Sequence, residues 1–181
     1  MFIVFIALFI AVIAILAIYF GLWSQLLVHE TGQRMMRAVC NIPTSMVEVG
    51  IGPCILRVGT WTLRVLPIAG RNGPLSYCLP VARWRKTLVL LGGVGLNGAV
   101  AMGLAMMMMA YHHWAWIIGW FAGFQALGLL QLFPFRTDQG MASDGLFLVA
   151  IWCNLRFCPP HPCGSEFVDA PCDGNYSMQD L

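Results

Sequence analysis

Long apolar runs dominate the chain and predict helices that cross a membrane. The first run, residues 2–28, carries no charged side chain, and about 20 apolar residues suffice to cross the hydrocarbon core as a helix. Similar runs cover residues 87–110 and 115–133. The apolar stretch 145–155 is too short to cross alone and predicts a half-span. The pattern therefore predicts three to four transmembrane helices.

A different pattern lies between the first two predicted spans. Apolar residues alternate with polar or small residues at 47–51 and again at 62–65, with Gly59-Thr60 between them. Period-two alternation around a glycine turn indicates short antiparallel strands. Open strands are not tolerated in lipid, so these strands should lie at the interface or be covered by helices. The predicted fold class is a membrane all-α protein with a small β element.

Composition narrows the class of protein. Hydrophobic residues make up 59% of the 181 residues and charged residues only 10%, whereas about a quarter of a soluble domain is charged. The length predicts one compact domain, residues 1–157, followed by a polar tail that contains cysteines, residues 158–181. No run of basic residues indicates a nucleic-acid partner, so the lipid bilayer is the expected environment.

The basic residues are unevenly placed along the chain. Six of the ten lie in segment 57–86, just before the second predicted span: Arg57, Arg64, Arg71, Arg83, Arg85 and Lys86. Basic loops stay on the cytoplasmic side of a membrane. Segment 57–86 is therefore predicted to be cytoplasmic, in a multi-pass protein of the cell (inner) membrane.

A polar motif, His29-Glu30-Thr31-Gly32-Gln33, ends the first apolar run. Ionisable residues in a membrane segment are costly and commonly functional. Residues four apart share a helix face, so His29 and Gln33 could hold one metal ion with Glu30 beside it. Glu30 could then take a proton from water on that metal. The best candidate for a third ligand is Asp144, which precedes a glycine after a proline-containing break.

Four further segments accompany this motif along the chain. Segments 50–53 and 66–70 contain glycine and proline at the predicted strands, 93–97 lies in the second span, and 132–145 contains a proline and the Asp-Gly pair. Together with the motif at His29, they resemble the site-2 protease family. Members of that family are intramembrane zinc metalloproteases that cut transmembrane segments of other proteins. The resemblance extends over most of the chain.

The resemblance implies a zinc site and a role for each of its residues. His29 and Asp144 would bind one zinc ion, and Gln33 stands where the family has its second ligating histidine. Glu30 would serve as general base and acid. Asn97 would orient the substrate or stabilise the oxyanion.

Three residues depart from the family pattern: Gln33, Gln131 in place of an asparagine, and Val94 in place of a proline. An amide oxygen suits zinc less well than an imidazole nitrogen. Two functions therefore remain open, a weakened protease and an inactive relative that binds membrane-protein segments without cutting them. In either, the strand region from about Val47 to Leu66 would bind an unwound segment by edge pairing.

Simpler roles also remain open for these residues. The His29-Glu30 pair could be a solvated polar cap at the interface, Asp144 could cap a helix, and Asn97 could bond between helices. Methionines at 106–109 suit copper, but they point around a helix in four directions, so a small transporter is the weakest alternative. Tail residues that could bind metal or form disulfides are Cys158, His161, Cys163 and Cys172.

Overall fold

The computed structural model describes residues 2–44, 46–72, 81–135 and 143–153. Its elements are α1 (Phe2–Val39), β1 (Val47–Val58), β2 (Trp61–Asn72), α2 (Arg83–Ala110), α3 (Ala115–Leu127) and α4 (Asp144–Trp152), with 3-10 helices at His112–Trp114 and Gly128–Leu132. The helical part of the predicted fold class, with a small β element between the first two long helices, is confirmed. The four candidate ligands of the tail lie outside the described residues.

Three helical segments of the described chain are long and apolar enough to cross a membrane: Phe2–Val39, Arg83–Ala110 and His112–Leu132. The first of them is 38 residues long, which corresponds to about 57 Å of helix. Its first 19 residues, up to Phe20, are almost entirely exposed although nearly all are apolar, and full burial begins at Gly21. A contiguous apolar surface of this size favours a lipid environment.

Small residues let the long helices pack closely. A Cβ atom at Gly32 of α1 would overlap the carbonyl oxygen of Gly92 in α2, and one at Gly92 would lie 2.7 Å from the carbonyl oxygen of Gly32. Gly21 of α1 is covered in the same way by the ring of Phe124 from α3. Membrane helices commonly meet at such positions, where the backbones can approach. The Gly32–Gly92 contact therefore fixes α1 against α2 within the motif itself, three residues after His29.

The two strands form a bent hairpin. Pairing runs antiparallel from Val58 opposite Trp61 at the turn to Val47 opposite Asn72 at the far end. Residues 47–49 also pair in parallel with 61–63, on the other side of β1. The order of the segments across the sheet is therefore 66–72, 47–51, 61–64 and 54–58. Segments 66–72 and 54–58 form its two edges. The turn at Gly59 is confirmed, but the parallel pairing was not predicted from the alternation.

Glycines make the bend in β1 possible. Gly50 and Gly52 have φ values of 91° and 88°, which residues with a side chain rarely adopt. Arg64 braces the bend, because its guanidinium donates to the Gly52 carbonyl and to the Glu48 carboxylate, both at 2.8 Å. The bond to Glu48 raises the pKa of Arg64 above its ordinary value.

The hairpin lies along α1 over several turns. Val47 and Val49 are fully buried against Leu26. The Arg34 guanidinium donates to the hydroxyl of Thr60 at 2.7 Å, and fifteen residues earlier in α1 the Tyr19 hydroxyl donates to a β2 carbonyl at 2.6 Å. One face of the hairpin is thus covered by α1, as the prediction for strands near lipid requires.

The third span differs from the continuous helix predicted over 115–133. The α-helix ends at Leu127 and continues as a 3-10 helix over Gly128–Leu132. The change occurs where a Cβ at Gly128 would overlap the side-chain nitrogen of Asn97 in α2. The apolar stretch predicted from 145 forms the nine-residue helix α4, which packs against α2 and the 3-10 helix and is too short to span.

Candidate functional site

The start of α4 delivers Asp144 to the first helix. Ser143 is the N-cap of α4, where its hydroxyl accepts from the backbone of Leu146 at 3.2 Å. The same hydroxyl donates to the Phe133 carbonyl at 2.6 Å, and a Cβ at Gly145 would overlap the carbonyl of Leu132. Asp144 is therefore the first residue of the helix, and the cap is its neighbour. The carboxylate of Asp144 is therefore not the capping group of α4 and can contact residues of α1 instead.

Three predicted ligands converge at this point. Nε2 of His29 lies 2.9 Å from Oδ2 of Asp144. Nε2 of Gln33 lies 3.1 Å from that histidine nitrogen, and 3.1 and 3.3 Å from the two carboxylate oxygens of Asp144. His29 is only 5% exposed and Asp144 only 8%. His29 and Gln33 share one face of α1, as their spacing predicted, and both meet the carboxylate of Asp144, which lies 111 positions after Gln33.

Glu30 lies beside this group, against the edge segment of β2. It is 4% exposed, and a Cβ at Gly70 would overlap its carboxylate. The buried guanidinium of Arg37, two turns further along α1, acts on it electrostatically. The glycine at the end of segment 66–70 therefore has a physical role, because only a residue without a side chain leaves room for Glu30.

The strand region predicted to bind a substrate differs at its two ends. Val47 is fully buried against α1 and is paired on both sides, opposite Trp61 and Asn72, so it offers no free strand edge. Leu66 is 44% exposed and pairs with Ile51, at the start of the edge segment. Within the predicted region from Val47 to Leu66, residues 47–51 lie inside the sheet, whereas 54–58 and Leu66 belong to its two edges. Substrate binding by this region remains a prediction.

The second span supports His29 from the opposite side. A Cβ at Gly93 would lie 2.7 Å from Cε1 and Nε2 of the His29 ring. Asn97, one turn later, is fully buried, and its Nδ2 lies 3.5 Å from Nδ1 of His29. The predicted proximity of Asn97 to the motif is therefore found, but its amide faces the ring nitrogen turned away from Asp144.

A group of buried polar residues close to Asn97 was not predicted from the sequence. Gln125 of α3 is 2% exposed and donates to the hydroxyl of Ser24 at 3.2 Å. Gln25 lies close to Gly128, where a Cβ would come within 2.9 Å of its amide nitrogen. The available signal was the polarity itself, because amide side chains in apolar spans usually face the interior of a bundle.

The convergent donors fit a divalent metal ion. Ligands about 2.0–2.2 Å from a tetrahedral zinc lie about 3.4 Å from one another, so the observed separations of 2.9–3.3 Å would widen by a few tenths of an ångström. Gln33 would present its amide oxygen after a half-turn of the amide. Among the described residues, no group of three or more His, Cys, Asp or Glu side chains is placed to bind a metal. A metal held at this point would have His29, Asp144 and the amide of Gln33 as its protein donors.

Comparison with known proteins assigns no family. No protein-family model matches the chain, and no curated protein matches it. The molecule is therefore described by its own features: a helical, membrane-type fold with a buried His–Asp–Gln group and an adjacent glutamate. The resemblance to site-2 proteases remains a prediction.

Proposed function

We propose that this protein is a metal-dependent intramembrane peptidase of the site-2 protease type, acting on transmembrane segments of other proteins. The observation that carries the proposal is the meeting of His29, Gln33 and Asp144 within 3.3 Å, with Glu30 buried beside them. Buried ionisable groups in a membrane fold are costly, so their convergence favours a chemical role.

The metal would be held by His29, Asp144 and Gln33. When bound, it would polarise a carbonyl and lower the pKa of a water molecule, which is the chemistry that zinc supplies to hydrolases. Glu30 would accept one proton from the attacking water and return it to the departing amine nitrogen. The C–N bond breaks, and the hydroxyl of the water stays on the carbonyl carbon. The products are a carboxylic acid and an amine, so both protons of the water are accounted for.

The hairpin supports a peptide substrate. Its edge segment 66–72 pairs on only one side within the part of the chain that the structure describes, and Gly70 of this segment lies against Glu30. An extended peptide that added to this edge would run past Glu30 with its backbone unwound. The proposed docking region is this edge next to Glu30, from Leu66 through the second half of β2.

A second function, binding without cleavage, is favoured by one contact. The amide of Gln33 donates to both carboxylate oxygens of Asp144, which closes the group without any cation. A histidine at this position could not bridge the carboxylate in that way while also serving as a ligand. A protein of this kind would hold a membrane segment against the same hairpin.

Metal content separates the two functions. We expect purified protein, equilibrated with Zn²⁺ in lipid nanodiscs, to retain one ion per chain, and His29→Ala or Asp144→Ala to lose it. Glu30→Gln should keep the ion but abolish cleavage of a fluorogenic transmembrane peptide with a glycine-rich centre. Protein that takes up no Zn²⁺, together with thermal stability that chelators do not change, would establish the binding function instead.

A further inference from the structure

An apolar groove lies between α1 and the hairpin, near the edge of the sheet that is opposite to Glu30. Its volume is about 330 Å³. The residues that line it are Leu27, Thr31, Val58, Trp61 and Leu63. The hydroxyl of Thr31 donates to the Leu27 carbonyl at 2.7 Å and is satisfied within α1. The outer wall of the groove belongs to the edge 54–58, whereas the edge 66–72 meets Glu30, so the groove is separate from the candidate site.

A cationic side chain, Arg34, lies at one end of this groove. Its guanidinium carbon is 5.3 Å from the centre of the Trp61 ring, and its Nη1 donates to the Thr60 hydroxyl at 2.7 Å. Both of these partners are neutral, so neither compensates the charge. A guanidinium has five N–H donors in a planar fork that fits a phosphate, and it can use that fork while it stacks on a ring. Arg34 therefore supplies both charge and donors for an anion.

The charged end and the apolar lining follow each other along α1. Leu27, Thr31 and Arg34 are spaced four and three residues apart, so they share one face of the helix. The seven residues from Leu27 to Arg34 correspond to about 10 Å of helix. The uncharged run of α1 ends at residue 28, so the Arg34 end lies toward the membrane boundary and the Leu27 end toward the hydrocarbon core. This order, charge outside and carbon inside, is that of a phospholipid.

We propose that this groove binds an anionic phospholipid of the cytoplasmic leaflet, with its phosphate on Arg34 and part of one acyl chain along Thr31 and Trp61. The positive-inside rule predicts that this boundary is cytoplasmic, where the membrane surface is negatively charged. One molecule satisfies both features, since its charge pairs with the guanidinium and its chain covers the apolar lining. The inference goes beyond the proposed function and does not depend on a metal ion.

Tryptophan fluorescence in nanodiscs tests this assignment, because dibrominated acyl chains quench only the indoles that they touch. The discs contain a constant mixture of phosphatidylcholine and phosphatidylglycerol, and an equal share of the lipid carries bromine on one headgroup class or the other. The contribution of Trp61 is the difference between wild type and Trp61→Phe. We expect brominated phosphatidylglycerol to quench Trp61 more strongly than brominated phosphatidylcholine does.

Two arginine variants separate the groove from general surface charge. Arg34→Gln should lower the preference for phosphatidylglycerol at Trp61 about fivefold, the contribution of one basic residue near an anionic surface. Arg85→Gln is the matched control, because Arg85 also lies over a tryptophan, at 5.2 Å from Trp84, but does not adjoin the groove. It should leave the quenching of Trp61 unchanged.

Thr60→Val tests whether the hydroxyl contact of Arg34 is responsible instead. This variant removes the hydrogen bond at the hairpin turn but keeps the guanidinium. The preference for phosphatidylglycerol should therefore remain. Loss of the preference in Thr60→Val as large as in Arg34→Gln would show that bracing of the turn, not pairing with a phosphate, is measured.

Three further results would overturn the proposal. The first is equal quenching of Trp61 by the two brominated lipids, or equal losses in Arg34→Gln and Arg85→Gln. The second is absence of quenching by either lipid, which would mean that a peptide segment or a second copy fills the groove. The third is displacement by soluble glycerol phosphate, which would indicate a site for free phosphate. None of them involves Zn²⁺, so the peptidase proposal stands or fails separately by its metal content.

Discussion

At the scale of single residues, Gln33 determines what the site can do. Its amide contacts both His29 and Asp144, so it occupies the place from which a ligand would act. An amide can serve as a neutral oxygen donor to a metal or as an N–H donor to a carboxylate. The same side chain is therefore compatible with a weak metal centre and with a metal-free polar cluster.

Gln33→His provides the direct test of the metal centre. A second imidazole at i+4 from His29 adds a better zinc donor in the same space, so Zn²⁺ affinity should rise at least about 10-fold in competition with a chelator. Thr31→His is the control, because Thr31 shares the helix but bonds back to Leu27 and contacts no predicted ligand. Equal affinities in Gln33→His and wild type would contradict a metal role for this position.

At the scale of elements, glycines allow the helices and the hairpin to reach the polar group. Gly93 leaves space for the ring of His29, Gly70 for Glu30 and Gly128 for Asn97. Each comes from a different element, so the site forms only where α1, α2, β2 and the segment after α3 meet. The proposed chemistry would therefore depend on the contact between α1 and α2 as well as on the proposed ligands.

Gly93 and Gly95 of α2 provide a matched pair of variants that tests whether the space at Gly93 is needed for the His29 ring. Gly93→Ala would place a Cβ 2.7 Å from the His29 ring, so we expect a lower melting temperature and at least about 10-fold weaker Zn²⁺ binding. Gly95→Ala, two residues on, meets nothing within 4 Å and should hold or raise stability, because alanine favours a helix by up to about 1 kcal/mol. Similar losses in both variants would show that helix packing, not the His29 ring, is responsible.

Gly70 can be tested against the side chain that it accommodates. Gly70→Ala should lower the melting temperature in wild type, because the added Cβ displaces the Glu30 carboxylate. In a Glu30→Ala background the carboxylate is absent, so Gly70→Ala should lower the melting temperature much less. Residues in contact show such coupling in double-mutant cycles, and additive effects would mean that the two do not touch.

At the scale of the whole molecule, local patterns predicted the helices, the hairpin turn and the core of the polar group. The uncharged run predicted α1, the alternation around Gly59 predicted the hairpin, and the i, i+4 spacing predicted that His29 and Gln33 lie on the same face of α1. The parallel pairing of 47–49 and the choice of Ser24 as the partner of Gln125 were not predictable. Both depend on contacts between segments far apart in the chain, which periodicity does not encode.

Topology is a prediction for the whole chain that labelling can check. The positive-inside rule places the start of α2 in the cytoplasm, and the aromatic turn before α3 on the other side. In a variant without native cysteines, Arg85→Cys should react with a membrane-impermeant maleimide only from the cytoplasmic side, and Trp114→Cys only from the opposite side. Both side chains are at least partly exposed. Labelling of both from one side would contradict the predicted orientation.

The close contact between Gly32 and Gly92 also constrains how a polypeptide could approach the site. Because the two backbones are in contact at this level, a polypeptide could not pass between α1 and α2 there. In the described part of the chain the strands contact α1 and no other helix, so an approach between β2 and α4 crosses no helix–strand contact. A substrate would then arrive sideways from the bilayer. Selection would follow from how readily its helix unwinds and leaves lipid, more than from the residues next to the cut bond.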